Sequence, residues 1–195
     1  AREKAVFMKV GFIFRKIGSW NTRVSPPNTR AAPPAISGIG AIRRSKAQGI
    51  TFGWYPSALN AGYELPGNFL RAVDDFPDMR RPELARLPRI VYEFDSPDLR
   101  TGTMYPAMAR AFRAVGAQFA AMFAYDMQRT ASRNLGWQTH YLSLAYTPRK
   151  AMSAIVAAEA MKRLPRGRDY GPYPGNARFG DFRVSAEENL GELVS

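Results

Sequence analysis

Two strand patterns with a helical pattern between them constrain this fold more than any other feature of the sequence. Residues 89–94, RIVYEF, are rich in β-branched and aromatic side chains and lie between turn-forming residues, which is typical of a strand. Met108, Phe112 and Val115 then share one face of a predicted helix. Residues 118–125, QFAAMFAY, predict a second, buried strand. Strand, helix and strand in such a short span predict a βαβ unit with two parallel strands.

The pattern extends on both sides of this unit. Residues 50–55, ITFGWY, predict an earlier strand, and residues 68–73 predict a helical turn after it. A helix is predicted to begin at Thr147 and Pro148 and to end at Leu164. A further strand is predicted at residues 177–185. The fold class that follows is α/β with a parallel sheet.

The helical periodicity also predicts which side chains are buried. In the second predicted helix, the apolar stripe consists of Met152, Ile155 and Val156. In the helix of the βαβ unit, Arg110 and Arg113 lie away from the apolar face and are expected to be exposed.

The basic charge of the chain is concentrated near its start. Of the formal net charge of +12 over 195 residues, residues 1–48 carry +9 and residues 49–195 carry +3. The nearly balanced remainder argues against a nucleic-acid-binding domain. Residues 1–40 form a basic, Pro-rich segment that we interpret as disordered or foreign to the domain behind it. A basic amphipathic segment and a signal-peptide remnant are the alternative interpretations.

Several classes of protein are excluded by residue usage. The chain has no cysteine and one histidine, His140, which excludes a disulfide scaffold, a cysteine nucleophile and a thiolate or His-rich metal site. No apolar run approaches the roughly 20 residues that span a bilayer. The Gly38-Ile39-Gly40 pattern lacks the strand and helix that flank a nucleotide-binding loop. The sequence therefore predicts no cofactor, no metal and no membrane span.

Glu93 is the main candidate for chemistry, because it lies at the end of a predicted strand of a parallel sheet. Active sites of parallel sheets are assembled at the carboxyl ends of the strands. A carboxylate there can attack the anomeric carbon of a sugar, or stabilise an oxocarbenium-like transition state, while a second carboxylic acid protonates the leaving oxygen. The alternative interpretation is a solvated charge at a strand end, paired with an arginine.

Aromatic side chains cluster at the same predicted strand ends and suit the flat C–H faces of sugar rings. The alternative is that these aromatics are core residues. The predicted substrate-binding residues are Trp54, Tyr55, Tyr63, Tyr125, Asp126 and Trp137. Other carboxylates near these positions, Glu64, Asp95 and Asp98, are weaker candidates, and the two aspartates flank Pro97 in a way that suits a turn.

Four stretches of this sequence resemble a known family: GITFGWYPSALNAGYELPGNFL, RIVYEFDSPD, MYPAMARAFRAVGAQFAAMFAYDM and QTHYLSLAYTPRKAMSAI. They look like the last part of the cellulase- or β-galactosidase-like (β/α)8-barrel glycoside hydrolases. The resemblance covers about residues 41–195 and leaves out residues 1–40.

The resemblance implies a partial (β/α)8 (TIM) barrel that contains the last three strands and their helices. Residues 41–165 would form this part, and residues 166–195 would begin a following β-rich region. Glu93 would be the nucleophile that closes the seventh strand. The general acid/base of the family closes the fourth strand, and no such strand precedes residue 50 here. Secretion or a periplasmic location is also implied by the resemblance.

The predicted function is therefore a fragment of a retaining glycoside hydrolase that acts on β-linked poly- or oligosaccharides and is inactive alone. The start at Ala1 also suggests a fragment or a processed product. A non-catalytic carbohydrate-binding barrel is the first alternative. A basic nucleic-acid-binding protein, which depends on the N-terminal charge, ranks last. The expected partner is a carbohydrate, and the oligomeric state is left open.

Overall fold

The central part of the chain forms a three-stranded parallel sheet. The computed structural model describes residues 48–57, 63–75, 79–97, 99–123 and 142–194. The strand order is β1-β2-β3, and both neighbouring pairs are parallel. The parallel βαβ unit predicted from the sequence is thereby confirmed. The strands are β1 (Ile50–Trp54), β2 (Arg89–Phe94) and β3 (Ala117–Met122).

Helices and a second sheet complete the described part of the chain. Short 3-10 turns occur at Pro82–Leu84 and Gly175–Ala177. The second sheet is antiparallel in the order β4-β5-β6. Among the helices described, none combines the length and apolar character needed to cross a membrane. The helices are α1 (Leu70–Asp74), α2 (Met104–Ala114) and α3 (Pro148–Arg163), and the strands of the second sheet are β4 (Arg178–Phe179), β5 (Phe182–Ser185) and β6 (Leu190–Leu193).

Helix α2 lies at the centre of the core, and residues 104–112 are buried without interruption. Phe112 packs edge-to-face on Phe52 and Phe94 of the parallel sheet, with ring centroids 6.4 and 5.1 Å apart. Helix α3 and strands β5 and β6 contact α2 as well. A helix enclosed in this way is more deeply buried than the half-exposed surface helix that the sequence pattern predicts.

The expected exposure of Arg110 is wrong, because this side chain is 1% exposed. Its guanidinium donates hydrogen bonds to Oδ1 of Asp74 and to the carbonyl of Asn176, both at 2.7 Å. Burial of a charge is tolerated here because these partners replace water. Arg113 is half-buried and donates to the carbonyl of Leu164 at 2.8 Å. Both arginines connect α2 to the segments around it.

The predicted apolar stripe of α3 is also wrong for its largest members. Met152 and Ile155 are 53% and 58% exposed, whereas Lys150, Ser153, Ala157 and Ala160 are buried. In β3, predicted as a buried strand, Phe119 is 58% exposed. Periodicity identifies the two faces of an element, but the neighbouring elements decide which face is covered.

The antiparallel sheet approaches the start of α2 closely. A Cβ atom added to Gly191 of β6 would lie 2.6 Å from the carbonyl oxygen of Gly102 and 2.7 Å from Cγ of Pro106. Gly102 in turn donates its N–H to Oδ1 of Asn189 at 2.8 Å. Glycine at 191 is therefore needed for the two backbones to meet.

Candidate functional site

Glu93 is the residue before the last in β2 and lies at the carboxyl end of the strand. Phe52 of β1 pairs with Val91, and the next residue, Gly53, pairs with Glu93. Tyr92 is therefore an extra residue of β2 that pairs with no residue of β1, which defines a β-bulge. Bulges change the direction of side chains and are common beside active sites.

Gly53 makes room for the side chains of the bulge. A Cβ atom built on Gly53 would lie 3.1 Å from Cγ and 3.3 Å from Oε1 of Glu93. It would also lie 3.3 Å from the hydroxyl oxygen of Tyr92. The carboxylate and this phenol therefore lie together over the glycine, although Tyr92 and Glu93 are neighbours in a strand.

Two tyrosine phenols lie beside the Glu93 carboxylate, and the charge of Glu93 acts on both. Burial, followed by the charge of Glu93, raises the pKa of Tyr55 well above its usual range. Burial, followed by the hydrogen bond to Glu93 and its charge, raises the pKa of Tyr92 to about 12. Both phenols are therefore protonated at neutral pH and can donate to the carboxylate.

Asp95 follows two residues later, and its carboxylate lies in a buried cluster with Ser96, Tyr105 and Lys150. Its side chain is fully buried, and Oδ1 accepts hydrogen bonds from the Tyr105 hydroxyl at 2.5 Å and from the Ser96 N–H at 2.7 Å. The ammonium of Lys150, also fully buried, lies 3.3 Å from Oδ1 and donates to the Ser96 carbonyl at 2.8 Å. Asp95 therefore fixes α3 to the end of β2.

The structure gives the surroundings of three further candidates. Trp54 is half-buried and packs against the hydrophobic core, as its alternative interpretation expects. Tyr63 is 63% exposed, and Glu64 forms a surface ion pair with Arg100 at 3.3 Å. The remaining candidates lie outside the described residues and stay predictions: Tyr125, Asp126 and Trp137, with Asp98 and His140.

Sequence reasoning missed two members of the site, Gly53 and Tyr92. Gly53 carried a usable signal, because a glycine inside a strand often marks a bulge or a close approach. Tyr92 carried none, because strand alternation places it on the face opposite Glu93. The bulge overrides that alternation.

The candidate site stands on its geometry alone. Among the described residues, no group of three or more histidine, cysteine, aspartate or glutamate side chains is placed to hold a metal ion. Neither the known family models nor the curated proteins nor the solved structures include a match to this chain. The described structure is that of an α/β protein with a carboxylate and two phenols at the carboxyl edge of a parallel sheet.

Proposed function

We propose that this chain is the C-terminal part of a retaining glycoside hydrolase of the (β/α)8-barrel class, with Glu93 as the nucleophile. The observation that carries the proposal is the Glu93 carboxylate at the carboxyl end of β2, beside the phenols of Tyr55 and Tyr92. The proposal extends to a β-linked poly- or oligosaccharide as substrate and to export from the cell. Both extensions follow from the family resemblance.

The geometry supports nucleophilic attack by a carboxylate oxygen on the anomeric carbon. As the new C–O bond forms, the bond from that carbon to the leaving oxygen breaks, and a second carboxylic acid protonates the leaving oxygen. Water then hydrolyses the glycosyl ester. The two phenols can donate hydrogen bonds to the Glu93 oxygens and so favour one orientation of the attacking carboxylate.

A non-catalytic carbohydrate-binding barrel is the second candidate, and the state of Asp95 favours it. Asp95 is the other carboxylate whose charge acts on Tyr55. It is fully buried and paired with Lys150, so it cannot donate a proton to a leaving oxygen. A catalytic site therefore requires a second carboxylate other than Asp95, about 5–5.5 Å from Glu93 for a retaining mechanism.

The test is Glu93→Gln in the longer protein to which we assign this chain. We expect turnover of an aryl β-glycoside to fall by roughly three orders of magnitude or more, because the nucleophile is lost while the side chain keeps its shape. Glu64→Gln is the matched control, since Glu64 is an exposed, ion-paired glutamate. Unchanged turnover in Glu93→Gln would remove the assignment.

Gly53→Ala adds a second, independent test of the site geometry. The new methyl group must displace the Glu93 side chain by a few tenths of an ångström. We expect kcat to fall about tenfold or more with little change in the melting temperature, since misplacement of a reacting group is costly. If the unmodified longer protein binds oligosaccharide but shows no turnover, the non-catalytic alternative is the correct one.

A further inference from the structure

Helix α3 exposes apolar side chains on the face that points away from the core. The buried face carries Ser153, Ala157 and Ala160, and the helix contacts α2 and β6. Met152 and Ile155 lie on the opposite face, here called the outer face of α3, and are 53% and 58% exposed. Large apolar side chains that are exposed in a group mark contact surfaces, whereas ones scattered singly do not.

The turn before α3 extends this apolar surface. Leu144 and Tyr146 are 57% and 50% exposed, and the helix begins soon after them at Pro148. Of the nine large hydrophobic side chains that are exposed in the described structure, four therefore lie within residues 144–155. Tyrosine combines an apolar ring with a polar hydroxyl, which suits a boundary between water and hydrocarbon.

Exposed cations flank the apolar side chains at both ends of α3. Arg149 is exposed near the start of the helix, and Lys162 and Arg163 are 69% and 51% exposed in its last turn. Glu159 is the one acidic residue within residues 142–163, and it already pairs with Lys162 at 2.6 Å and with Arg163 at 3.2 Å. The exposed charge of this surface is therefore positive, with three cations and one acid.

This charge pattern fits an anionic surface better than a second copy of the chain. An antiparallel pair of α3 helices would bring Arg149 of one copy towards Lys162 and Arg163 of the other. A parallel pair would place each cation beside its equivalent. Like charges meet in both arrangements, which disfavours self-association. Anionic lipid head groups attract all three cations, and the acyl boundary beneath them can receive the apolar side chains.

We propose that the outer face of α3, together with the turn before it, docks on the surface of a membrane that contains anionic lipids. The helix would lie in the plane of the interface, with Met152 and Ile155 below the head groups. The stems of Lys162 and Arg163 would lie along the apolar surface while their charged ends reach phosphates. Such a contact is peripheral, in keeping with the absence of a membrane-crossing helix among those described. It is independent of the role assigned to Glu93.

The test measures binding of the full 195-residue chain to sedimented vesicles. One set contains phosphatidylcholine alone, and the other contains equal parts of phosphatidylcholine and phosphatidylglycerol. We expect binding to the mixed vesicles only, and weaker binding as salt is raised. Ile155→Ser should weaken binding about five- to tenfold, because more than half of this side chain would otherwise leave water. Phe119→Ser is the matched control, since Phe119 is also 58% exposed but lies in β3, and it should bind like the parent chain.

A second pair of variants tests the charges. Lys162→Gln with Arg163→Gln should weaken binding about tenfold or more, since each cation near an anionic surface contributes roughly fivefold. Arg71→Gln with Arg86→Gln removes two exposed arginines from other parts of the chain and should have little effect. All the replaced side chains are exposed, so thermal melts followed by circular dichroism should agree with the parent chain within a few degrees Celsius.

A site-specific label separates this contact from binding by the basic residues 1–48, which carry +9. The chain has no cysteine, so Met152→Cys accepts one environment-sensitive fluorophore. Its emission should shift to shorter wavelength on the mixed vesicles, whereas the same label on Phe119→Cys should not shift.

Four results would overturn the membrane contact. The first is no binding to the mixed vesicles. The second is equal binding by the parent chain and Ile155→Ser, which would assign the binding to another segment, such as residues 1–48. The third is an unshifted label on Met152→Cys when the chain is bound to vesicles. The fourth is self-association without vesicles that Ile155→Ser abolishes, which would assign the outer face of α3 to a second copy.

Discussion

Replacing Lys150 by methionine removes the positive charge from the most deeply buried ion pair of the described structure. Lys150 and Asp95 are both 0% exposed, with Nζ 3.3 Å from Oδ1. The ammonium also donates to the Ser96 carbonyl at 2.8 Å and lies 5.4 Å from the ring centroid of Tyr105. Methionine keeps an unbranched stem of similar length but offers none of these interactions.

The expected cost is large because the substitution leaves Asp95 charged and buried. Breaking a buried pair by removing one partner costs about 3–5 kcal/mol. For a domain of this size, 1 kcal/mol shifts the melting temperature by about 2–4 °C, so the predicted decrease is roughly 6–20 °C. Such a loss is a large part of a typical unfolding free energy of about 5–15 kcal/mol.

Urea unfolding followed by circular dichroism measures this loss. Lys162→Met is the matched control, because Lys162 lies on the same helix, is 69% exposed and pairs with Glu159. We expect that control to stay within about 0.5 kcal/mol of the parent. The double variant Lys150→Met with Asp95→Asn should recover part of the stability, since the orphaned charge is gone. A Lys150→Met variant as stable as the control would refute the buried ion pair.

Two further predictions concern packing and alkaline pH. Gly191→Ala places a methyl group against Gly102 and Pro106 and should lower the unfolding free energy measured with urea by about 1–3 kcal/mol. Gly175→Ala is its control, because nothing lies within 4 Å of the added atom there. Equal stability of the two variants would contradict the close approach at Gly191. Burial, then the charge of Asp95, raises the pKa of Tyr105 well above 10.0. Above pH 10 the unfolded chain therefore loses this proton first, and the unfolding free energy falls as pH rises. Tyr105→Phe should make that fall shallower between about pH 10 and 12, and an unchanged slope would count against the assignment.

The parallel unit was predictable because its signals are local and agree with one another. Val91 and Phe112 follow strand and helix periodicities, and the turn residues between them mark the ends of both elements. The faces of α3 and β3 were not predictable in the same way. Lys150 is buried because its ammonium forms an ion pair with Asp95 and donates a hydrogen bond to the Ser96 carbonyl. Phe119 is exposed because nothing among the described residues covers that face of β3.

The position of Glu93 at a strand end was predictable, but its surroundings were not. The pairing of Gly53 with Glu93 depends on a one-residue shift between β1 and β2, which no pattern within either strand reveals. That shift brings Tyr92 to the carboxylate. Tyr55 was predicted as a residue that contacts sugar, and the structure places it where the charge of Glu93 acts on its hydroxyl.

Covalent trapping addresses the central claim most directly. A 2-deoxy-2-fluoro glycoside with a good leaving group slows hydrolysis of the glycosyl ester, so a retaining nucleophile stays labelled. After incubation with the longer protein, peptide mapping should find one glycosyl group on the peptide that contains Glu93, and none on the peptide that contains Glu64. A label on another carboxylate, or loss of turnover with no label at all, would contradict the account.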